Sequence, residues 1–167
     1  SAIMSCETTH EIVPITRSDV DLRNFEDTAA LFRESNVDAV VHCAALVGGI
    51  GGNSMRSGDY FYGNTIINLN VLEAARLSGV NNLVSFMSTC VFPDDATYPL
   101  TPDQLHNGEP HFSNFGYAYS KRVLEVQTRA YNQQWGTKFK TLVPANMYGP
   151  HDNFSLNEGH VVPALIH

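Results

Sequence analysis

Short strand-like runs alternating with long helical stretches confine this chain to a narrow set of folds. "DAVVHCAA" (38–45) is continuously apolar, the pattern of a strand buried on both faces of a parallel sheet. "NNLVSFMS" (81–88), "KFKTLVP" (138–144) and the β-branched "EIVPIT" (11–16) read as further strands. Helices are expected between them. "NFEDTAALFRESN" (24–36) sets Phe25, Ala29, Leu31 and Phe32 at helical spacing. "DYFYGNTIINLNVLEAARLSG" (59–79) and "YAYSKRVLEVQTRAYNQQWG" (117–136) each stop at a glycine suited to a helix C-cap. A polar, proline-bearing loop fills about 89–115, and "VVPALIH" (161–167) begins a last, interrupted helix. Such βαβ units give an α/β fold with a doubly wound parallel sheet, helices on both faces and ligands at the strands' carboxyl ends. No internal repeat or domain boundary is evident.

Charge narrows the function. A formal net charge of −7 and a pI near 5.3 argue against nucleic acid as the main partner, which needs clustered cations. No apolar run approaches the roughly 18 residues of a membrane span. Three scattered cysteines (Cys6, Cys43, Cys90) do not make a disulfide framework, so a reduced cytoplasmic setting is the default. The seven histidines show no metal-type pairing, so no metal is expected. "NFS" at Asn153 is read as a chance glycosylation match.

Two motifs carry chemistry. "MSTCVFP" (87–93) puts a serine, a threonine and a thiol where a strand ends, which fits capping, packing or a reaction centre. "YAYSK" sets Tyr117 and Lys121 four residues apart on one helix face. A nearby ammonium favours the phenolate and brings a phenol's pKa down from about 10 towards the working range. The pair suits proton transfer to a carbonyl oxygen as it becomes an alcohol. With 7 tyrosines and three lysines, the spacing arises by chance in roughly one such chain in eight. Position strengthens it, because Tyr117 opens a helix one βα unit after Ser88, and both would share the sheet's carboxyl edge. The bland alternatives are a serine bonding local backbone and a cysteine that only packs.

Ser88 followed by Tyr117-x-x-x-Lys121 on alternating strands and helices resembles the extended short-chain dehydrogenase/reductase superfamily, whose fold is Rossmann-like. More narrowly, "AALVGGI" (44–50), "STCVFP" (88–93), "HNGEP" (106–110), "NFGYAYSKR" (114–122) and "PANMYGPHDNF" (144–154) with His160 resemble the GDP-L-fucose synthase family. The likeness runs from about Arg17 to the last residue. It implies an NADP-dependent enzyme that epimerises GDP-4-keto-6-deoxy-D-mannose at C3 and C5 and reduces it at C4 to GDP-L-fucose. Ser88, Tyr117 and Lys121 would be the reductive triad, and Cys90 with His160 the epimerisation pair. Protons beside a ketone are acidic because the carbanion delocalises as an enolate. A thiolate can remove one, and a protonated imidazole on the other face can return it.

The resemblance also assigns cofactor contacts. Arg17 would bind the 2′-phosphate of NADP(H), and Asp21 and Leu22 would border the adenine. Ala44 and Ala45 would let the backbone approach closely, Lys121 would hold the nicotinamide ribose, and Pro144, Asn146 and Met147 would line the nicotinamide. "GGIGGN" (48–53) is not a strict GxGxxG, since position 54 is serine, and is implied to be a flexible rim. Tyr131 and Trp135, at helical spacing, are expected in the core.

The chain reads as truncated at both ends. Residues 1–167 would be a partial NADP-binding domain lacking its first strand and glycine-rich loop, with the GDP-sugar-binding region starting at about 151. In isolation it is expected to bind NADPH weakly and turn over little or not at all. The full-length protein is expected to be a homodimer. The other readings are a related nucleotide-sugar epimerase, dehydratase or reductase, such as a GDP-colitose synthase, or a non-catalytic nucleotide-binding scaffold.

Overall fold

A computed structural model describes residues 9–48, 50–150, 152–155, 159 and 161–166. The first helix, α1 (Phe25–Ser35), starts where Asn24 turns its side-chain oxygen onto the amides of Glu26 (3.0 Å) and Asp27 (3.4 Å). It stops at Asn36, which takes the left-handed conformation (φ 43°). Strand β1 (Ala39–His42) follows, then a short helix α2 (Ile50–Met55) and the long α3 (Ser57–Leu77). Strand β2 (Asn82–Phe86), helix α4 (Phe115–Trp135), strand β3 (Lys138–Leu142) and α5 (Val161–Ile166) complete the order. Both long helices end on glycines with positive φ, Gly79 (76°) and Gly136 (67°). That conformation costs a glycine little and releases the chain into the next strand.

The strands form one parallel sheet in the order β1-β2-β3. Ala39 faces Asn82 and His42 faces Ser85, while Asn82 faces Lys138 and Phe86 faces Leu142. Met87 carries the pairing one step further through its amide to the Leu142 carbonyl (2.8 Å). Parallel neighbours require crossovers, which α3 and α4 supply. With all three strands in step, the segments after His42, Phe86 and Leu142 emerge at one edge.

Helices α1, α3 and α4 share one core with the inward strand residues. Leu72, Leu83, Leu124 and Phe139 are at most 2% exposed there, and each such burial contributes about 1.5–3 kcal/mol. Three buried asparagines on α3 tie it to its surroundings. Asn64 exchanges hydrogen bonds with the Leu46 backbone (2.8 and 3.0 Å), Asn70 donates to the Leu22 carbonyl (2.9 Å), and Asn68 meets His42 (3.0 Å). At Gly116 a Cβ would overlap the Ser57 carbonyl, so the first turn of α4 lies against the start of α3.

Three sequence expectations are corrected. "EIVPIT" is irregular chain, with Val13 and Ile15 half exposed, because no described strand offers it a ladder and Pro14 has no amide to give one. The described long helices cover one sheet face only. On the other face Val41 is 55% and Leu142 48% exposed, and Lys140 is exposed, so β1 is not buried on both sides. In "GGIGGN", residues 50–53 begin α2, whose Ser54 hydroxyl reaches the Ser113 carbonyl (3.4 Å), which neither supports nor contradicts the rim expectation. Trp135 is surface-facing (44% exposed), with the Arg76 guanidinium 4.3 Å over its ring, and Tyr131 is partly buried and donates to Glu73 (2.7 Å).

Candidate active site at the carboxyl edge of the sheet

Beyond β2, Ser88 stays extended (φ −155°, ψ 155°) and caps a single 3-10 turn, Thr89–Val91. Its Oγ accepts from the Cys90 amide at 3.4 Å, a long and weak bond, and the hydroxyl lies 3.4 Å from Cys90 Sγ. Serine and thiol are therefore neighbours, and Ser88 caps as well. From Pro93 the chain continues as loop to Asn114, drawn together by an antiparallel bridge between Pro93 and Pro110 and by Asp94 donating to the Glu109 carbonyl (3.0 Å).

Helix α4 brings Tyr117 and Lys121 to this turn. Lys121 is 4% exposed, and its Nζ donates to the carbonyl of Phe86, the last residue of β2, at 2.9 Å. The same nitrogen lies 5.8 Å from the Tyr117 ring centroid. Burial pulls the Lys121 ammonium down to about 8. Burial, then the electrostatic influence of neighbouring Cys90, pushes the Tyr117 phenol up to about 12. This reverses the direction expected from the sequence. The ammonium is aimed at a backbone carbonyl rather than at the phenol, so desolvation governs Tyr117 and keeps it protonated at neutral pH. As arranged, it is a proton donor.

Sequence reasoning missed two residues of the surroundings. His42 closes β1 buried at 6% exposure, with Nε2 3.0 Å from Asn68 Oδ1. The Asn68 amide nitrogen points to the Ser120 carbonyl (3.5 Å), which leaves Oδ1 to accept and assigns the imidazole proton to Nε2. Burial drives His42 down to about 4, with the nearby Lys121 charge acting in the same direction. A histidine inside an otherwise apolar run was the available signal. Arg122 is the second, buried one helical turn from Ala118.

The expected cofactor residues are spread along the same edge and a neighbouring groove. Arg17 and Asp21 line an open groove of about 410 Å³ with Asp19, Asp27 and Glu34. Asp19 is bound by the Thr16 amide and hydroxyl (both 2.7 Å), and Asp21 is gripped by Arg23 (2.6 Å). Arg23, with a smaller pull from Arg17, holds the Asp21 carboxyl down at about 2. Arg17 makes none of the salt bridges found among the described residues, and its charge acts only weakly on Asp21. Leu22 is partly buried against the core. Ala44 and Ala45 lie in the chain leaving β1, and Pro144, Asn146 and Met147 in the chain leaving β3, with Met147 68% exposed. His160 lies outside the described residues. No cluster able to hold a metal ion occurs among the described residues, and none of their helices is long and apolar enough to cross a membrane.

A proton donor, a buried amine and a thiol beside a hydroxyl thus meet at the open end of a parallel sheet. The solved structure of a GDP-L-fucose synthetase from Naegleria fowleri bound to NADP has the same architecture, with a TM-score of 0.85 and 40% identity over 93% of this chain and 51% of that one. A GDP-mannoheptose C4 reductase from Campylobacter jejuni with NADP bound gives 0.84 at 33% identity, over 92% of this chain and 46% of that one. Among curated sequences, the GDP-L-fucose synthase of Dictyostelium discoideum is 47% identical over 150 residues, covering 90% of this chain. That match spans 47% of the relative, so the chain spans about half the length of the curated relatives it matches. A family model described as "NAD dependent epimerase/dehydratase family" matches residues 4–167, and the chain belongs to that family.

Proposed function

We propose that the protein is an NADPH-dependent epimerase-reductase converting GDP-4-keto-6-deoxy-D-mannose to GDP-L-fucose. The observation that carries this reading is the meeting of Cys90 with Ser88 (Sγ to Oγ 3.4 Å) beside Tyr117 and Lys121. A plain ketoreductase needs the last three and has no use for the thiol.

The residues present suit the cofactor. Arg17 would take the 2′-phosphate, Asp21 and Leu22 would border the adenine, and Ala44 and Ala45 would admit the cofactor backbone. Pro144, Asn146 and Met147 would flank the nicotinamide, and Lys121 would hold its ribose. When bound, NADPH supplies the hydride for C4. Everything else falls to this chain. Cys90, as thiolate, removes the proton from C3 or C5, and the electron pair moves onto the ketone oxygen. Ser88 and Tyr117 donate hydrogen bonds to that enolate oxygen. His160 returns a proton to the opposite face, inverting the carbon. In the reduction Tyr117, protonated at neutral pH, gives its proton to the C4 oxygen as the alkoxide forms. On the same reading the GDP-sugar region begins at about residue 151, and the enzyme works as a cytoplasmic homodimer, where the free thiols of Cys43 and Cys90 stay reduced.

The likeness to a C4 reductase supports a second reading, reduction without epimerisation. One assay separates the two. The longest reading frame encoding this chain is given the keto-sugar and NADPH in deuterated water, and product deuterium is located by NMR. Solvent deuterium at C3 and C5 with NADPH consumed is the expected result. NADPH consumption without deuterium at those carbons would leave a reductase only, and no consumption would end both readings.

A further inference from the structure

Arg122, next to Lys121 on α4, is 5% exposed. Its Nε donates to the Val91 carbonyl and its Nη1 to the Gly108 carbonyl, both at 2.8 Å. The guanidinium carbon lies 5.2 Å from the Tyr119 ring centroid, and Nη2 is buried without a partner among the described residues. The charge thus meets two carbonyls and a ring rather than a carboxylate, and burial depresses its pKa. As packing this is expensive, since an apolar side chain of similar volume would avoid the desolvation. What an apolar residue cannot do is hold two carbonyls from separate segments with one rigid fork.

Those two carbonyls have a common position. Val91 ends the turn that carries Ser88 and Cys90, and Gly108 sits on the returning limb of the same loop, near the Pro93–Pro110 bridge. That loop holds only 3-10 turns, so it has little regular structure to fix where Cys90 stands. Tyr117 and Lys121, by contrast, ride on a 21-residue helix.

We propose that Arg122 is a positioning residue: its fork registers the Ser88–Cys90 turn against α4, so that the thiol and the Tyr117 hydroxyl address the same bound sugar. This rests on the epimerase-reductase reading for its purpose, though the tie itself can be tested without substrate.

The test uses the longest reading frame encoding this chain, with Arg122→Met, Arg122→Lys and, as a control on the same helix, the exposed Arg129→Met. Alkylation of Cys90 by iodoacetamide is followed across pH by mass spectrometry of its peptide. Deuterium incorporation and NADPH oxidation are measured alongside. Arg122→Met should change Cys90 alkylation by about fivefold or more and shift its pH profile. It should cut deuterium incorporation by about tenfold or more while hydride transfer falls less. Arg122→Lys, which keeps the charge but loses the planar fork, should recover part of both, and Arg129→Met should match wild type. Alkylation within about twofold of wild type and an unmoved pH profile in Arg122→Met would overturn the proposal. If that variant fails to melt cooperatively, Arg122→Lys is judged by the same thresholds. A wild type that does not turn over the sugar, with alkylation altered as expected, sinks the substrate reading and leaves the positioning role standing. Turnover with unmoved alkylation does the reverse.

Discussion

Tyr117 keeps its proton at neutral pH because it is desolvated, with neighbouring Cys90 acting in the same direction, while the ammonium beside it is spent on the Phe86 carbonyl. It is prepared to give a proton rather than take one, the polarity a carbonyl reduction needs. Replacing it with phenylalanine removes that proton and little volume. Tyr117→Phe should therefore lower kcat for NADPH oxidation by about 10²–10⁴ with KM nearly unchanged, read by absorbance under saturating substrate. An equal loss arising through KM would mean that the hydroxyl serves binding. Cys90→Ala should behave differently. Deuterium incorporation at C3 and C5 should vanish, while any ketone presented with the correct configuration is still reduced. The pair of variants separates the two half-reactions.

Among the elements, α1 offers the cleanest stability test. Asn24 satisfies two amides at its start and is exposed, so Asn24→Ala should cost about 1 kcal/mol in urea unfolding without touching activity. Leu124, fully buried where α4 meets the core, should cost about 2–5 kcal/mol on truncation to alanine. The helices were legible in the sequence because their signals are local: a capping asparagine, an apolar face, and glycines at 79 and 136 that no other residue replaces cheaply. "EIVPIT" was misread because a strand depends on a partner, and its own β-branched residues cannot provide one. "DAVVHCAA" shows a related limit. An unbroken apolar run does not reveal that Val41 faces outward while His42 is buried. Tyr117, Lys121 and Ser88 were singled out by spacing and position along the chain, and Cys90 only through the family resemblance. Arg122 was hidden because its partners are backbone carbonyls, which no side-chain pattern announces.

At the scale of the whole molecule, the buried ionisable groups beside the site make folding depend on pH in opposite directions. His42 titrates near 4 when folded and near 6.5 when unfolded, so between these values the unfolded chain binds more protons. Stability should then fall as pH drops from 6.5 towards 4, by roughly 2–3 kcal/mol for this group. Lys121, near 8 folded and 10.5 unfolded, follows the same rule in a higher window, and stability should rise with pH from 8 to 10.5. Tyr117 opposes it. With a folded value near 12 against 10, the folded state holds the extra proton, and stability should decline between those values. Urea midpoints across pH, in the longest reading frame encoding this chain, would trace these limbs. His42→Gln, which can still reach Asn68, should flatten the acid limb, and Lys121→Met the alkaline rise. The two sites are also coupled, because the Lys121 charge helps hold His42 neutral. Removing that charge lets the imidazole accept a proton more easily, so Lys121→Met should soften the acid limb as well. An acid limb that stays as steep in His42→Gln as in wild type would assign the loss to the carboxylates instead.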